Sequence, residues 1–129
     1  MPIEIRMLVW SILLGLVQIA LAATFATSRR GLRWNAGPRD DAGAPLSGVA
    51  GRLERASHNF RETFMFFAAA VLAVVLLQKG NANTALGVQL YFWARVAYVP
   101  AYAFGIPYLR SAIWGVSIVG LVMLVSALF

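Results

Sequence analysis

Four apolar stretches of 15 to 21 residues fill most of this 129-residue chain. They lie at 7–26, 63–77, 84–104 and 111–129. Because an α-helix of about 20 apolar residues crosses a bilayer core about 30 Å thick, the sequence predicts an all-α integral membrane protein with four transmembrane helices. We expect a single domain over 1–129, since the stretches leave no room for a soluble one. The expected helices are, approximately, 3–28, 48–78, 83–104 and 107–128.

Composition excludes several other classes of protein. Hydrophobic residues make up 60% of the chain and charged residues 12%, too few to cover a soluble domain of this size. There is no cysteine, and His58 is the single histidine, so we expect no metal site. The net charge of +6 is divided between one loop and helix interiors, so we expect no nucleic-acid partner.

The connection at 28–48 carries Arg29, Arg30, Arg33 and Arg39. By the positive-inside rule this basic loop is cytoplasmic, and four spans then place both termini on the other side of the membrane. The first helix has an alternative interpretation as a signal peptide, since 20–22 loosely resembles a cleavage site. We expect it to be retained, because its apolar stretch is long for a signal core and a pair of arginines follows it.

Polar side chains recur on one face of the second and third helices. Arg52, Arg55, Asn59 and Glu62 fall within roughly 80° of one helix face at about 100° per residue. On the third helix, Arg95, Tyr98 and Tyr102 share an arc of about 60° with Tyr91. Arg110 opens the fourth helix at the same predicted cytoplasmic end. The sequence therefore predicts a shallow polar cavity that faces the cytoplasm.

Two interpretations of these polar residues remain open. In the first, they form a network that only holds the helices together, with Glu62 pairing with Arg95. In the second, the surplus of arginines over Glu62 indicates a bound anion, a carboxylate or phosphate, while Glu62 holds an ammonium group. The tyrosines are either anchors at the membrane interface or the lining of this cavity.

Smaller features have structural interpretations. Glu54 and His58 are spaced as a surface ion pair within one helix, and Gln18 is expected to form an interhelical hydrogen bond. Small residues in the fourth helix predict close helix packing; they are Ser111, Gly115 and Gly120.

The segment 52–62 resembles a signature of the MAPEG family, the membrane-associated proteins in eicosanoid and glutathione metabolism. The matching residues are Arg55-Ala56, Asn59 and Glu62, in the pattern Arg-Ala-x-x-Asn-x-x-Glu. A second resemblance covers Arg95, Tyr98 and Tyr102 in helix three and 109–111 at the start of helix four. The loop segments 34–40 and 45–48 resemble those of bacterial members.

The resemblance implies a left-handed four-helix bundle that assembles as a homotrimer and binds glutathione between subunits near the cytoplasmic face. It implies that Arg55, Asn59 and Glu62 hold the tripeptide. The further expected binding residues are Arg52, Arg95, Tyr98, Tyr102 and Ser111. Arg110 corresponds to an arginine that stabilises the glutathione thiolate in active members, and is the expected catalytic residue.

These inferences predict a glutathione-dependent transferase or peroxidase in the bacterial inner membrane, acting on lipophilic electrophiles. The alternative is a non-catalytic accessory or scaffold protein whose polar face binds a lipid headgroup or a partner helix. An ion or proton pathway is disfavoured, because helices one and four carry no continuous polar track.

Overall fold

The computed structural model describes residues 1–40 and 45–129, and five α-helices without a strand form within these ranges. The helices are α1 (Ile3–Arg30), α2 (Leu32–Ala36), α3 (Gly48–Leu76), α4 (Ala82–Ala103) and α5 (Pro107–Ser126). The four long helices begin and end within two residues of the expected bounds. The short helix α2 was not expected. It follows Gly31, whose φ of 95° turns the chain sharply after α1.

Three of the long helices, α1, α3 and α5, are long and apolar enough to cross a membrane. Helix α4 is not among them, so the structure supports three of the four expected spans by length and composition. The difference has a chemical cause, because α4 carries Gln89, Arg95 and three tyrosines among its 22 residues. Three of these polar side chains face the other helices, since Tyr91, Arg95 and Tyr98 are buried, whereas Gln89 is exposed.

Helices α4 and α5 pack most extensively, and two glycines bring their backbones together. A Cβ atom on Gly120 would lie 2.5 Å from the carbonyl oxygen of Gly87, and one on Gly87 would lie 2.7 Å from the carbonyl oxygen of Gly120. Close packing through Gly120 is therefore confirmed. The same prediction is wrong for Gly115, because a Cβ atom there would meet nothing within 4 Å in residues 1–40 and 45–129.

The core lies between α1, α3, α4 and α5 and is built from aromatic and branched side chains. The ring of Tyr91 stacks on that of Phe67, with centroids 4.0 Å apart and planes 12° apart. Gln18 on α1 is buried, but neither of its side-chain amide atoms has a hydrogen-bond partner in the described residues. The predicted interhelical hydrogen bond of Gln18 is therefore wrong.

The turn between α4 and α5 brings the ends of two helices together. Gly105 has a φ of 71°, a left-handed conformation that other residues adopt only with strain. Pro107 then begins α5, where its missing N–H costs no helical hydrogen bond. This tight reversal places Arg110, in the first turn of α5, beside the last turn of α4.

Candidate functional site

Four hydrogen bonds connect α3 to α4 and define what we call the α3–α4 ladder. Its rungs are Arg52 Nε to the Ala103 carbonyl oxygen (2.9 Å), Arg55 Nε to Tyr102 Oη (3.1 Å), Arg95 Nη1 to Asn59 Oδ1 (2.9 Å), and the hydroxyls of Thr63 and Tyr91 (3.0 Å). Residue numbers rise along α3 as they fall along α4, as antiparallel neighbours require. Three residues of the predicted polar stripe, Arg52, Arg55 and Asn59, therefore contact α4, and a network that holds the two helices together is present.

Arg95 is the buried centre of the ladder, with 1% of its surface exposed. Its guanidinium lies 4.3 Å from the centre of the Tyr98 ring and 5.5 Å from that of Phe60. Aromatic faces attract a cation, and they compensate part of the cost of burying it. The Nε and Nη2 atoms have no hydrogen-bond partner among the described residues, so Asn59 is the one hydrogen-bond acceptor that these residues supply to the side chain.

The pairing of Glu62 with Arg95 that the network interpretation predicted is wrong. Arg95 donates to Asn59, whereas Glu62 is exposed and forms no ion pair within 1–40 and 45–129. The reason is geometric. Asn59 lies about one turn before Glu62 on α3, and it is Asn59 that lies level with Arg95 on α4. Glu62 is therefore left as an exposed carboxylate on the stripe.

At the turn between α4 and α5, two arginines surround the ring of Tyr102. The Arg110 guanidinium lies 4.8 Å from the ring centre and the Arg55 guanidinium 5.8 Å from it. Arg55 also donates a hydrogen bond to the phenol oxygen of Tyr102. In the described part of the chain, the side chain of Arg110 forms no hydrogen bond or ion pair, so its donors remain available to a ligand.

A cavity of about 280 Å³ opens at this turn. It is lined by Arg52, Tyr102, Gly105, Pro107 and Arg110. Two cationic side chains and one phenol line it without a carboxylate. Because guanidinium groups bind carboxylates and phosphates with paired hydrogen bonds, the cavity is chemically suited to an anion.

The structure brings only some of the predicted site residues to this cavity. Arg52, Tyr102 and Arg110 line it, and Arg55 reaches it through Tyr102. Asn59 and Arg95 lie deeper, in the ladder. Ser111 is exposed and donates to the Pro107 carbonyl oxygen across 3.4 Å, outside the cavity lining.

The tyrosines divide between core and cavity. The pocket-lining interpretation is wrong for Tyr91, which is fully buried in the core. Tyr98 is 1% exposed and packs edge-on against Tyr102, with ring centres 5.6 Å apart, so it supports Tyr102 from behind. Tyr102 alone of the three reaches the cavity.

Sequence reasoning missed several contributors to this site. The Ala103 carbonyl and the Phe60 ring have no sequence signal, because any residue offers a carbonyl and the chain contains eight phenylalanines. Gly105 and Pro107 did have a sequence signal, since glycine and proline close together mark a turn.

Elsewhere on α3, the predicted ion pair of Glu54 and His58 is confirmed, with His58 Nε2 4.0 Å from Glu54 Oε1.

No group of three potential metal-ligating side chains occurs in the part of the chain that the structure describes. A comparison with curated proteins finds no match. A comparison with protein-family models matches residues 7–129, which contain the whole ladder and the cavity, to the MAPEG family. The chain therefore belongs to the MAPEG family.

Proposed function

We propose that this protein is a glutathione-dependent transferase or peroxidase that acts on lipophilic electrophiles within the membrane. The family includes glutathione transferases and peroxidases as well as other members, and its members use glutathione. The resemblance of its loop segments to those of bacterial members supports the bacterial inner membrane as its location. The positive-inside rule supports a cytoplasmic basic loop, with both termini outside. In this topology α4 also crosses the membrane, as the third of four spans.

The observation that carries the proposal is the cavity formed by Arg52, Tyr102 and Arg110. Glutathione has two carboxylates, one ammonium and one thiol, so it needs cations to hold its ends and a cation near sulfur. The arginines at the cavity and Arg55 beside it supply more positive charge than the described chain neutralises locally. This charge imbalance supports a peptide with two carboxylates over a neutral ligand.

The exposed position of Glu62 supports a homotrimer with glutathione bound between subunits. Glu62 shares its face of α3 with Arg55 and Asn59 but has no cationic partner in the described residues. In the proposed assembly, this face of one subunit lies against a neighbour, and Glu62 holds the ammonium of the tripeptide. The carboxylates are held by arginines, with Asn59 kept in place by Arg95.

In the proposed mechanism, Arg110 stabilises the glutathione thiolate, which raises the nucleophilic fraction of the thiol near neutral pH. With an aryl halide, the thiolate sulfur forms a bond to the ring carbon and the halide leaves. With a lipid hydroperoxide, sulfur attacks the terminal oxygen, the O–O bond breaks, and the lipid alcohol leaves after protonation. A second glutathione then displaces water from the sulfenic acid and forms the disulfide.

The decisive measurement is a calorimetric titration of the protein in nanodiscs with glutathione, followed by turnover assays with an aryl halide and a lipid hydroperoxide. Cysteinylglycine is the matched control ligand, because it keeps the thiol but lacks the γ-glutamyl carboxylate. We expect glutathione to bind more tightly than cysteinylglycine and to support turnover. Absence of glutathione binding would overturn the proposal, and binding without turnover of any electrophile would favour a non-catalytic member.

A further inference from the structure

A groove of about 170 Å³ follows the seam between α1 and α3 and shares no residue with the cavity at Arg110. We call it the Arg61 groove. It is lined on α1 by side chains between Ser11 and Ile19, and on α3 by Phe60, Arg61 and Phe64. Because the two helices run antiparallel, Ile19 lies at the Arg61 end of the groove and Ser11 at the Phe64 end.

The apolar part of the groove is formed by two stacked aromatic rings that face a glycine. The centroids of the Phe60 and Phe64 rings lie 5.3 Å apart, with their planes 20° apart. A Cβ atom on Gly15 would lie 2.9 Å from Cε1 of Phe60, so α1 approaches the rings closely. The α1 side, 11–19, is about 12 Å long at 1.5 Å per residue. This shape matches a segment of one extended acyl chain.

The guanidinium of Arg61 is held at one end of this apolar surface. Arg61 Nε donates to the Ser57 carbonyl oxygen across 3.4 Å, and Arg61 Nη2 lies 3.1 Å from His58 Nδ1. Ser57 and His58 both precede Arg61 on α3, so its guanidinium is turned toward the start of this helix. The apolar part of the groove therefore extends from the cation in one direction only, toward Phe64.

The described residues do not neutralise the charge of Arg61. None of their carboxylates forms an ion pair with it, because Glu54 pairs with His58 and Glu62 projects from α3 about 100° away. Arg61 Nη1 also has no hydrogen-bond partner in this part of the chain. Its guanidinium thus keeps a donor group for a further anion.

The depth of Arg61 restricts the kind of anion. Arg61 is exposed and lies level with 15–19, in the middle of the apolar stretch 7–26 of α1. An unpaired cation at this depth in a bilayer is costly. A neutral acyl chain would fill the groove but leave Arg61 unpaired, and a phospholipid phosphate belongs at the membrane surface. A single-chain carboxylate has a small head that can reach Arg61 and a chain that fits the rings.

We propose that the Arg61 groove binds a long-chain carboxylate. The carboxylate accepts hydrogen bonds from Arg61, and the chain lies along Gly15 and Leu16 toward Phe64. The ligand thereby neutralises a cation inside the membrane and fills the seam between α1 and α3. This inference does not depend on glutathione chemistry, because the groove and the cavity at Arg110 have no residue in common.

Photolabelling of the protein in phosphatidylcholine nanodiscs tests this inference. The probes are palmitic acid and hexadecanol, which have chains of equal length and carry the same diazirine in the chain, at a pH where the acid is ionised. We expect palmitate to label 11–19 and 60–64 more strongly than hexadecanol does. Arg61→Gln should lower palmitate labelling there by about tenfold and leave hexadecanol labelling unchanged, as for loss of a hydrogen bond to a charged group.

Two matched controls accompany these measurements. Arg6→Gln removes an exposed charge on α1 outside the groove and should keep full palmitate labelling. Leu16→Trp fills the groove and should lower labelling by both probes, whereas Val17→Trp, at an exposed position of α1 outside the lining, should not.

Four results would overturn the inference. They are equal labelling of the groove by the two probes, palmitate labelling mainly outside it, equal losses in Arg61→Gln and Arg6→Gln, and a change of oligomeric state in Arg61→Gln. The last result would identify the anion as a carboxylate of a second copy of the chain. Circular dichroism reports the helical content of each variant. If Arg61→Gln does not fold, the positions labelled in the unchanged protein and the effect of Leu16→Trp still decide.

Discussion

Arg95 on α4 donates a hydrogen bond to the side-chain oxygen of Asn59 on α3 across 2.9 Å, and it is the most deeply buried cation of the ladder. The two partners differ in environment. Arg95 is 1% exposed, whereas Asn59 is partly exposed and retains access to solvent or to a ligand. The contact therefore stabilises the buried guanidinium and at the same time fixes the orientation of an amide at the edge of the site.

This asymmetry predicts that the two residues respond differently to removal. Asn59→Leu leaves the buried guanidinium without its acceptor and should lower the free energy of unfolding by about 3 kcal/mol. Arg95→Met removes the charge and keeps an unbranched side chain against Tyr98 and Phe60, while the abandoned amide can be solvated. It should cost at least about 1 kcal/mol less than Asn59→Leu.

Equilibrium unfolding in mixed micelles measures the free energy of unfolding of both variants. The double variant completes a double-mutant cycle. We expect Arg95→Met to restore part of the stability lost in Asn59→Leu. A greater loss in Arg95→Met than in Asn59→Leu would show that the stacking of Arg95 on the aromatic rings, rather than its hydrogen bond, dominates this contact.

Tyr102 contributes a hydroxyl to Arg55 and a ring to Arg110, and two substitutions separate these roles. Tyr102→Phe removes the acceptor of Arg55 but keeps the ring, so the KM for glutathione should rise by about threefold to tenfold with kcat nearly unchanged. Tyr102→Leu also removes the aromatic face beneath Arg110 and should lower kcat as well. Steady-state kinetics with varied glutathione distinguishes the two. Equal effects of both variants on kcat would contradict this division.

The sequence predicted the long helices and the polar face of α3 well, because apolar stretches and helical periodicity are local properties. It also predicted that Tyr102 and Arg110 share one end of the bundle. It failed where two helices set the outcome. Asn59 instead of Glu62 meets Arg95, and Tyr91 packs in the core, because the register and rotation of α4 against α3 depend on contacts between these two helices, such as the stacking of Tyr91 on Phe67.

Arg110 should act on the chemical step more than on binding. In the proposed mechanism Arg110→Ala removes the cation beside sulfur, so kcat should fall by about 100-fold, as for loss of a donor to a developing anion. Because the thiol pKa of bound glutathione then rises, part of the lost activity should return at higher pH.

The pH dependence of turnover, together with the thiolate absorbance of bound glutathione, measures this shift of the thiol pKa. Arg110→Lys is the control that keeps the charge and should retain intermediate activity. Loss of glutathione binding in Arg110→Ala would instead make Arg110 a binding residue.

Gly120 and Gly115 form a matched pair on α5. A Cβ atom at Gly120 would lie 2.5 Å from the Gly87 oxygen and 2.8 Å from the Tyr91 backbone nitrogen, so Gly120→Ala should lower stability by about 1 to 3 kcal/mol. The Cβ atom of Gly115→Ala meets none of the described residues within 4 Å. This variant should be neutral or stabilising, by up to about 1 kcal/mol, because alanine favours the helix. Thermal unfolding of the two variants compares them directly. Equal destabilisation would contradict the close approach of α4 and α5.

The absence of cysteine makes the membrane topology measurable with single introduced thiols. If α4 crosses the membrane as we propose, Arg33→Cys and Tyr108→Cys lie on one side and Asn83→Cys on the other. All three positions are exposed, so an impermeant maleimide added to intact spheroplasts should label Asn83→Cys alone, and all three after lysis. If only α1, α3 and α5 cross, 83 and 108 share a side and label together. The pattern at these two positions therefore decides between three spans and four, and with it whether Arg110 faces cytoplasmic glutathione.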